Sequence, residues 1–513
     1  MVLVGLVAVF AAGLSVAACG ATQAGGSRDS PIKTVMIRLR PPPGTPVLRV
    51  GADPRARPIP SGFIGLSIEF SALPAYAGHD PSAVDPVFEQ LIRNLAPGQR
   101  PVLRIGGDST DRTWVAVPRI SRPRGIQYTV GPRWLQTAGA LARALRARVT
   151  VGINLEANSA RLAGAEGRAM LAAIGRSSLE SFELGNEPEL YGTFPWYRVG
   201  GHGVTGRPAS WGIPSYIRDV SRIAHSLPRV GLAAPATGDA QWMQAIGRIA
   251  AAQPRIAVAT VHRYPLHRCF TSTQSPQYPT IAHLLTRDSS AGLAQSVASY
   301  AAAGHARGLS VRVDEFNTVS CSGQRGVSDT FASALWALDA AFSMARVGVD
   351  GVNIHTFPGG IYQLFRLRHR QGLWRAGVRP EYYGLMMFAQ AAPAGSRLLE
   401  VAGDPGRLVR AWATRAADGT VRVVLINDSL HRPRYVAVSV PGTAGPAPLE
   451  RLRAPSVSAK DGVTLGGRSF AAQTTTGVLT GRALNYAVAP ANGQYVVRLP
   501  AASAAMLTLA AEK

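Results

Sequence analysis

Short apolar runs alternate with amphipathic segments through the middle of the chain. Each run has the length and branched residues of a buried strand, and apolar residues at helical spacing follow it. In the first such pair, the run 63–70 precedes Val87, Phe88 and Leu91, which fall on one face of a helix. The eight predicted strands cover residues 63–70, 102–107, 149–156, 181–187, 230–235, 256–265, 311–317 and 351–358.

Eight strand–helix units predict an α/β fold, a (β/α)8 TIM barrel, over residues 51–393. A doubly wound open sheet is the alternative, because a single miscounted strand would leave the barrel open. After residue 394 the helical spacing disappears, and short strands alternate with Gly, Pro and Asp turns. This pattern predicts an all-β sandwich over 394–513. Residues 34–50 are also extended, and we expect them to join the sandwich.

The N-terminal segment is almost entirely apolar up to residue 18 and is followed by Cys19. It resembles a bacterial lipoprotein signal, although no Lys or Arg precedes the apolar core. We therefore expect residues 1–19 to direct export, with Cys19 lipidated and 20–33 acting as a tether; an ordinary secretion signal or an uncleaved anchor is the alternative. The expected location is the cell surface, by lipid anchoring to the bacterial membrane, or otherwise the extracellular medium.

The formal net charge is +24. The cations are scattered and form no run of five or six basic residues, so we do not expect nucleic-acid binding. We interpret the charge as an Arg-rich composition; a basic surface that attracts acidic substrates is the alternative. No HExxH spacing and no Cys/His cluster occurs in the sequence, so neither a metal nor another cofactor is expected.

Two glutamates end predicted strands on opposite sides of the barrel mouth. Glu187 ends the fourth strand and Glu315 the seventh. Barrel enzymes carry their catalytic side chains at these strand ends, and glycoside hydrolysis requires two carboxyl groups flanking the scissile bond. We assign Glu187 as the acid/base and Glu315 as the nucleophile. For Glu187 alone, capping the next helix is the structural alternative.

Other polar side chains at the strand ends complete this hypothesis. Asn186 is suited to bind a sugar hydroxyl, while Arg104 and Tyr264 are suited to keep Glu315 ionised. Asp314 should point to the other face of its strand, towards the helices. Two further residues are expected to contact substrate, Asp108 and His262.

Several nearby residues have two interpretations each. Glu69 and Glu156, at the ends of strands one and three, either contact the sugar or pair with Arg. The aromatic residues after Glu187 either stack on a sugar or pack their own loop; they are Tyr191, Phe194, Trp196 and Tyr197.

Cys269 and Cys321 follow strands six and seven, which are neighbours in a barrel. We predict that they form a disulfide between two loops of the mouth, with two reduced buried thiols as the alternative.

Several motifs together resemble bacterial members of glycoside hydrolase family 79, the heparanase/β-glucuronidase family within clan A of the retaining glycosidases. The motifs occupy residues 103–111, 183–188, 262–266, 314–323, 326–331 and 464–470. The resemblance implies retaining hydrolysis of β-glucuronides or glucuronate-containing glycans. It also implies that Ser322, Gly323 and Tyr362 hold the glucuronate carboxylate. Many members have Gly-Gly at Ser322-Gly323 and Asn at Asp108, and the family includes 4-O-methyl-glucuronidases.

Two other functions fit parts of the pattern. One is a clan A glycosidase for a neutral sugar, such as an arabinofuranosidase or xylosidase. The other is a catalytically silent glycan-binding lipoprotein, which the two intact glutamates disfavour. The expected partner is a glucuronide or an acidic oligosaccharide.

Overall fold

Eight parallel strands close into a barrel in the computed structural model, which describes residues 34–54 and 56–510. Their order around the barrel is their order in the chain, and the eighth pairs with the first through Val352–Ile64 and its neighbours. The prediction of a closed barrel is therefore confirmed, and the open sheet is wrong. Barrel strands 1 to 8 are Ile64–Ile68, Val102–Ile105, Arg148–Ile153, Leu179–Leu184, Gly231–Thr237, Ile256–Arg263, Ser310–Phe316 and Gly351–His355.

Helices surround the barrel and cover its outer face. The helix Pro86–Leu95 shows why they form where they do: the Asp85 carboxylate accepts a hydrogen bond from the Val87 N–H at 2.8 Å, and Pro86 occupies the first turn. Its apolar face is buried against the strands. The other helices are Ala72–Ala77, Pro132–Leu145, Ala160–Ile174, Ile213–Ser226, Ala240–Gln244, Ile246–Ala252, Ile281–Leu284, Leu293–His305, Phe331–Arg346 and Pro380–Ala391.

Small two-stranded sheets and single helical turns build the loops that leave the carboxyl ends of the barrel strands. The sheets pair Thr113–Val115 with Tyr128–Val130, Pro195–Val199 with His202–Thr205, Leu266–His267 with Val319–Ser320, and Phe365–Arg370 with Leu373–Val378. The turns are the 3-10 helices Thr110–Arg112 and Pro188–Leu190 and the π-helical Asp288–Gly292.

The C-terminal part is a β sandwich, as predicted. Two N-terminal strands complete it: Val35–Ile37 pairs with Tyr486–Val488, and Val47–Pro54 lies between Arg397–Ala402 and Arg434–Ser439. The sandwich has its own apolar core. Its remaining strands are Val409–Arg415, Val421–Asn427, Ala447–Arg453, Thr464–Leu465, Tyr495–Leu499 and Ser503–Leu509.

The helices Phe331–Arg346 and Pro380–Ala391 connect the barrel to the sandwich. Trp412 of the sandwich stacks on Phe342 with ring centroids 5.4 Å apart and donates a hydrogen bond to Asp339 at 2.7 Å. The two helices touch at Gly384, where an added Cβ would lie 2.0 Å from the Ala334 carbonyl oxygen. Backbone contact therefore sets the spacing of this helix pair.

In the part of the chain that the structure describes, no helix combines the length and apolarity required to cross a membrane. The predicted signal segment, its Cys19 and the tether 20–33 lie outside the described residues.

We expect Gly384→Ala to lower the free energy of unfolding by about 1–3 kcal/mol, because the new methyl group must push two helix backbones apart. Gly247→Ala is the matched control in another helix, where the nearest atom to an added Cβ is the Arg307 Nη2 at 3.9 Å. That change should be neutral or stabilise by up to about 1 kcal/mol. Urea unfolding measures both, and similar destabilisation by the two changes would contradict the contact.

Candidate active site

Glu187 lies at the mouth of the barrel just past strand 4. The chain turns through left-handed conformations at Gly185, with φ +81°, and at Glu187 itself, with φ +44°. Gly185 is required there because an added Cβ would lie 2.2 Å from the Tyr191 hydroxyl. The Glu187 N–H donates to the Ala236 carbonyl at 2.9 Å, so the end of strand 5 holds this turn. The side chain is 28% exposed and faces the cleft.

A bulge in strand 7 brings two consecutive acids to the barrel interior. Val313 is paired with Val261, but the next pair is Glu315 with His262, so Asp314 is the extra residue. Asp314 Oδ2 lies 3.4 Å from the Arg104 Nε, and the Glu315 Oε2 accepts from Arg104 at 2.8 Å. Our prediction that Asp314 faces the helices is therefore wrong, because the bulge breaks the simple alternation of the strand.

Arg104 of strand 2 is fully buried at the centre of these acids. Its Nε donates to Glu183 at 2.6 Å, and its Nη1 donates to Glu315 at 2.8 Å. Its Nη2 donates to the Asn186 Oδ1 at 2.8 Å. One planar guanidinium thus fixes side chains from strands 4 and 7 relative to each other.

Glu315 is held in its ionised form. Burial by itself would raise its pKa, but the His355, His262 and Arg104 charges and the Tyr264 hydroxyl, which donates at 2.7 Å, together hold the pKa well below its usual range. A carboxylate in this state can act as a nucleophile at any physiological pH.

His262 connects the two candidate catalytic carboxylates. Its Nδ1 lies 3.0 Å from the Glu187 Oε1 and 4.0 Å from the Glu315 Oε2. Burial opposes the charged imidazole, but Glu315, Asp314 and the hydrogen bond to Glu187 outweigh it and raise its pKa to about 10. The distance between the Glu187 Oε1 and the Glu315 Oε2 therefore cannot exceed the sum of these two distances. This bound excludes most of the roughly 6.5–9.5 Å separation typical of inverting glycosidases.

Asn186 is oriented from both ends of its amide. Its Oδ1 accepts from Arg104, and its Nδ2 donates to the Asp108 Oδ1 at 3.4 Å. Asp108 is accessible from the cleft. Restricted solvation there and the charges of Glu69, Glu187 and Glu315 raise its pKa to about 7.

Asp111 is a positioning residue for which the sequence offered no role. Its buried carboxylate accepts from the backbone N–H groups of Leu155, Glu156 and Asn186 at 2.9, 3.1 and 2.9 Å. It also accepts from the Tyr191 hydroxyl at 2.6 Å. Asp111 thereby ties the loops after strands 2, 3 and 4 together beneath Glu187. Its motif position placed it near the mouth, but only the fold shows which N–H groups converge on it.

The structure shows the surroundings of the residues for which the sequence left two interpretations. Tyr191 and Trp196 pack their loop against the loop after strand 2, since Tyr191 is buried and the Trp196 indole donates to the Asp111 carbonyl at 2.7 Å. Tyr197 packs edge-on against Trp196, whereas Phe194 lines the cleft. Glu69 accepts a hydrogen bond from the Ser109 N–H and lies 3.3 Å from the His355 Nε2. Glu156 lies close to the positive charge of Arg207.

Of the residues expected to hold a substrate carboxylate, Ser322 and Tyr362 line the same cavity as Glu315. Residues 321–323 are all left-handed, with φ of 59°, 69° and 86°. An added Cβ on Gly323 would lie 2.9 Å from the Tyr362 nitrogen. The Tyr362 ring stacks on Tyr264 with centroids 6.2 Å apart, and Tyr264 in turn holds Glu315.

The predicted disulfide between Cys269 and Cys321 is present, with Cα atoms 6.2 Å apart. The paired strands Leu266–His267 and Val319–Ser320 join the same two loops, and the His267 Nδ1 lies 3.0 Å from the Ser320 hydroxyl. The loops after strands 6 and 7 are therefore one connected wall of the mouth.

A cavity of about 870 Å³ opens above these groups. Arg104 and Asn186 are buried behind its wall. The predicted residues that line it are Asp108, Glu187, His262, Tyr264, Glu315, Ser322 and Tyr362. Among the described residues, no group of three or more His, Cys, Asp or Glu is arranged to hold a metal ion.

Known glycosidases are similar to this chain in sequence and in fold. The glycosyl hydrolase family 79 C-terminal beta domain matches residues 411–506, which lie in the sandwich. A curated β-glucuronidase from Aspergillus niger is 24% identical over 89% of this chain and 92% of its own length.

Among solved structures, a 4-O-α-L-rhamnosyl-β-D-glucuronidase from Fusarium oxysporum superposes with a TM-score of 0.73. It covers 90% of this chain and 100% of its own at 20% identity. A family 51 arabinofuranosidase from Xanthomonas axonopodis pv. citri gives 0.64 at 16% identity, covering 91% of this chain and 99% of its own. At these identities the two structures show a shared fold.

We expect Arg104→Met to destabilise the protein by about 3–5 kcal/mol at neutral pH, because it leaves buried carboxylates without their counter-charge. Arg93→Met is the control; it removes an exposed ion pair with Glu89 and should cost less than about 1 kcal/mol. Urea unfolding compares the two variants with the wild type.

The cost of Arg104→Met should also depend on pH. The native pKa of Glu315 is depressed, so its ion pair contributes above the unfolded-state pKa of about 4.3 and is lost as the pH falls below it. The difference from wild type should therefore shrink as the pH falls below about 4.3. A difference that grows as the pH falls would contradict the assignment.

Proposed function

We propose that this chain, a glycoside hydrolase of family 79, releases glucuronate from β-glucuronides with retention, by double displacement. The observation that carries the proposal is the pairing of Glu187 and Glu315 across His262, with opposite surroundings. Glu315 is 11% exposed and surrounded by positive charge and a phenol, whereas Glu187 is 28% exposed and turned to the cleft.

Glu315 acts as the nucleophile. Its ionised carboxylate attacks the anomeric carbon as the bond to the leaving oxygen breaks, and a covalent glycosyl-enzyme forms. The Arg104 and Tyr264 hydrogen bonds orient its two oxygens, which keeps the attack geometry fixed without the need for reorganisation.

Glu187 acts as the general acid and then as the general base. It passes a proton to the leaving oxygen, and in the second step its carboxylate removes a proton from the water that attacks the glycosyl-enzyme. His262 donates to the Glu187 Oε1, which leaves the Oε2 for the substrate.

Glucuronate is the sugar that this site fits best. Ser322 and the Tyr362 phenol line the cavity that contains Glu315, and Gly323 lies against the Tyr362 backbone. N–H and O–H donors suit a carboxylate. The Aspergillus relative is a β-glucuronidase, while the arabinofuranosidase shares the fold at 16% identity. The neutral-sugar and silent-binder alternatives have no comparable support.

We further propose that the enzyme is exported and held at the membrane by lipidated Cys19. The apolar segment that precedes Cys19 supports this, and the disulfide Cys269–Cys321 suits an oxidising compartment.

The anchoring prediction is tested by expressing the full chain and Cys19→Ala in a bacterium that processes lipoproteins. Wild-type protein should fractionate with membranes and carry a diacylglyceryl-modified Cys19 in the mass spectrum. Cys19→Ala should lose the modification and leave the washed membranes. Unmodified Cys19 in the membrane-bound protein would refute the lipid anchor.

The catalytic roles are tested with phenyl β-glucuronide, whose leaving group depends on protonation. Glu315→Gln should abolish turnover, and Glu187→Gln should lower kcat/KM by about 10²–10⁴-fold with loss of the alkaline limb of its pH profile. Glu180→Gln is the control, since Glu180 lies at the opposite end of strand 4 and pairs with Arg148. Near wild-type turnover by either catalytic variant would refute its role.

Azide separates the two carboxyl roles. With Glu187→Ala it should replace water in the second step and yield the β-glucuronyl azide. With Glu315→Ala it should attack directly and yield the α-azide.

Faster wild-type turnover of aryl α-arabinofuranoside or β-xyloside than of the glucuronide would overturn the choice of sugar.

A further inference from the structure

We propose that Phe194 and Phe270 form a leaving-group subsite that takes an aromatic aglycone; this inference rests on the proposed function. The two rings come from different loops, the first after strand 4 and the second after strand 6. Their centroids are 6.0 Å apart, and both line the cavity that holds Glu187 and Glu315.

Both rings face solvent in the free protein. Phe270 is 90% exposed, more than any other large apolar side chain among the described residues, and Phe194 is 43% exposed. A lone exposed apolar residue is ordinary, but two that meet across the rim of a catalytic cavity form a surface for a ligand.

The backbone at Phe270 is held in an unfavourable conformation. Its φ is +59°, in the left-handed region that a bulky residue rarely adopts. The preceding residue, Cys269, is disulfide-bonded to Cys321, and residues 266–267 are paired with 319–320. The connected loops after strands 6 and 7 therefore also fix the position of the exposed Phe270 ring. Such conformations persist where the surrounding structure imposes them, and they concentrate at ligand sites.

The pair lies on the leaving-group side of the scissile bond. In a retaining reaction the acid/base stands beside the leaving oxygen, and the nucleophile attacks from the opposite face. Phe194 is on the same loop as Glu187, whereas Ser322 and Tyr362, proposed for the sugar carboxylate, follow strands 7 and 8. The sugar therefore lies towards strands 7 and 8 and the aglycone towards strands 4 to 6.

The chemistry of the two rings favours an aromatic group. Neither phenylalanine has a polar atom to bind sugar hydroxyls, and their planes meet at 57°. A third ring can rest on one face while it meets the other ring by its edge, the arrangement that aromatic side chains prefer.

The test compares kcat/KM for phenyl β-glucuronide with that for trifluoroethyl β-glucuronide. Phe270→Ala should lower the value about tenfold for the phenyl substrate and less than about twofold for the alkyl one. Phe194→Ala should act in the same direction, and the two changes should be non-additive because the rings are in contact. Leu408→Ala, which removes a 41% exposed side chain in the sandwich, is the control and should change neither value.

A second readout separates this role from a structural one. The aglycone has left before the glycosyl-enzyme is hydrolysed, so the rate of that second step, measured by pre-steady-state kinetics, should be unchanged in Phe270→Ala. Phe270→Trp should restore discrimination for the phenyl substrate, whereas Phe270→Leu should not.

The subsite would be overturned if Phe270→Ala lowered kcat/KM equally for the two substrates or slowed the second step. It would also be overturned if kcat/KM fell more for a disaccharide β-glucuronide than for the phenyl one. A wild-type enzyme that turns over no glucuronide would instead refute the proposed function, so the two failures are distinguishable.

Discussion

The buried guanidinium of Arg104 is the interaction on which the rest of the site depends. Three carboxyl groups, those of Glu183, Asp314 and Glu315, approach it inside the barrel. Burial and the neighbouring Glu183 raise the pKa of Asp314 well above its usual range, which keeps the net charge of the buried cluster small. The same guanidinium holds Asn186 next to Glu187. Arg104 therefore helps to keep Glu315 ionised and fixes the position of the turn that carries Glu187.

The loops after strands 2, 3, 4, 6 and 7 are fixed around this centre by interactions of different kinds. The Asp111 carboxylate, after strand 2, accepts hydrogen bonds from backbone N–H groups of the loops after strands 3 and 4. A disulfide and a short parallel pairing join the loops after strands 6 and 7. A rigid mouth of this kind suits a reaction in which two carboxyl groups must keep a fixed separation through two steps.

Much of the architecture could be predicted because barrel strands are short, buried on both faces and separated by amphipathic helices. That periodicity located all eight strands, and the change of pattern near residue 394 located the sandwich. Strand ends were less certain: strand 1 ends at Ile68 rather than Phe70. The disulfide was predictable because Cys269 and Cys321 follow neighbouring strands. The direction of Asp314 was not, because a one-residue bulge depends on pairing with two other strands.

The sequence by itself determined the barrel, the sandwich and the presence of two glutamates at the ends of strands 4 and 7. These follow from local periodicity and from the rule that parallel strands end at one face. Only the tertiary structure decided which groups surround each glutamate, that His262 stands between them and that Phe194 meets Phe270 across the mouth. Such contacts join residues far apart in the chain, and their distances depend on strand register and loop conformation, which no local pattern encodes.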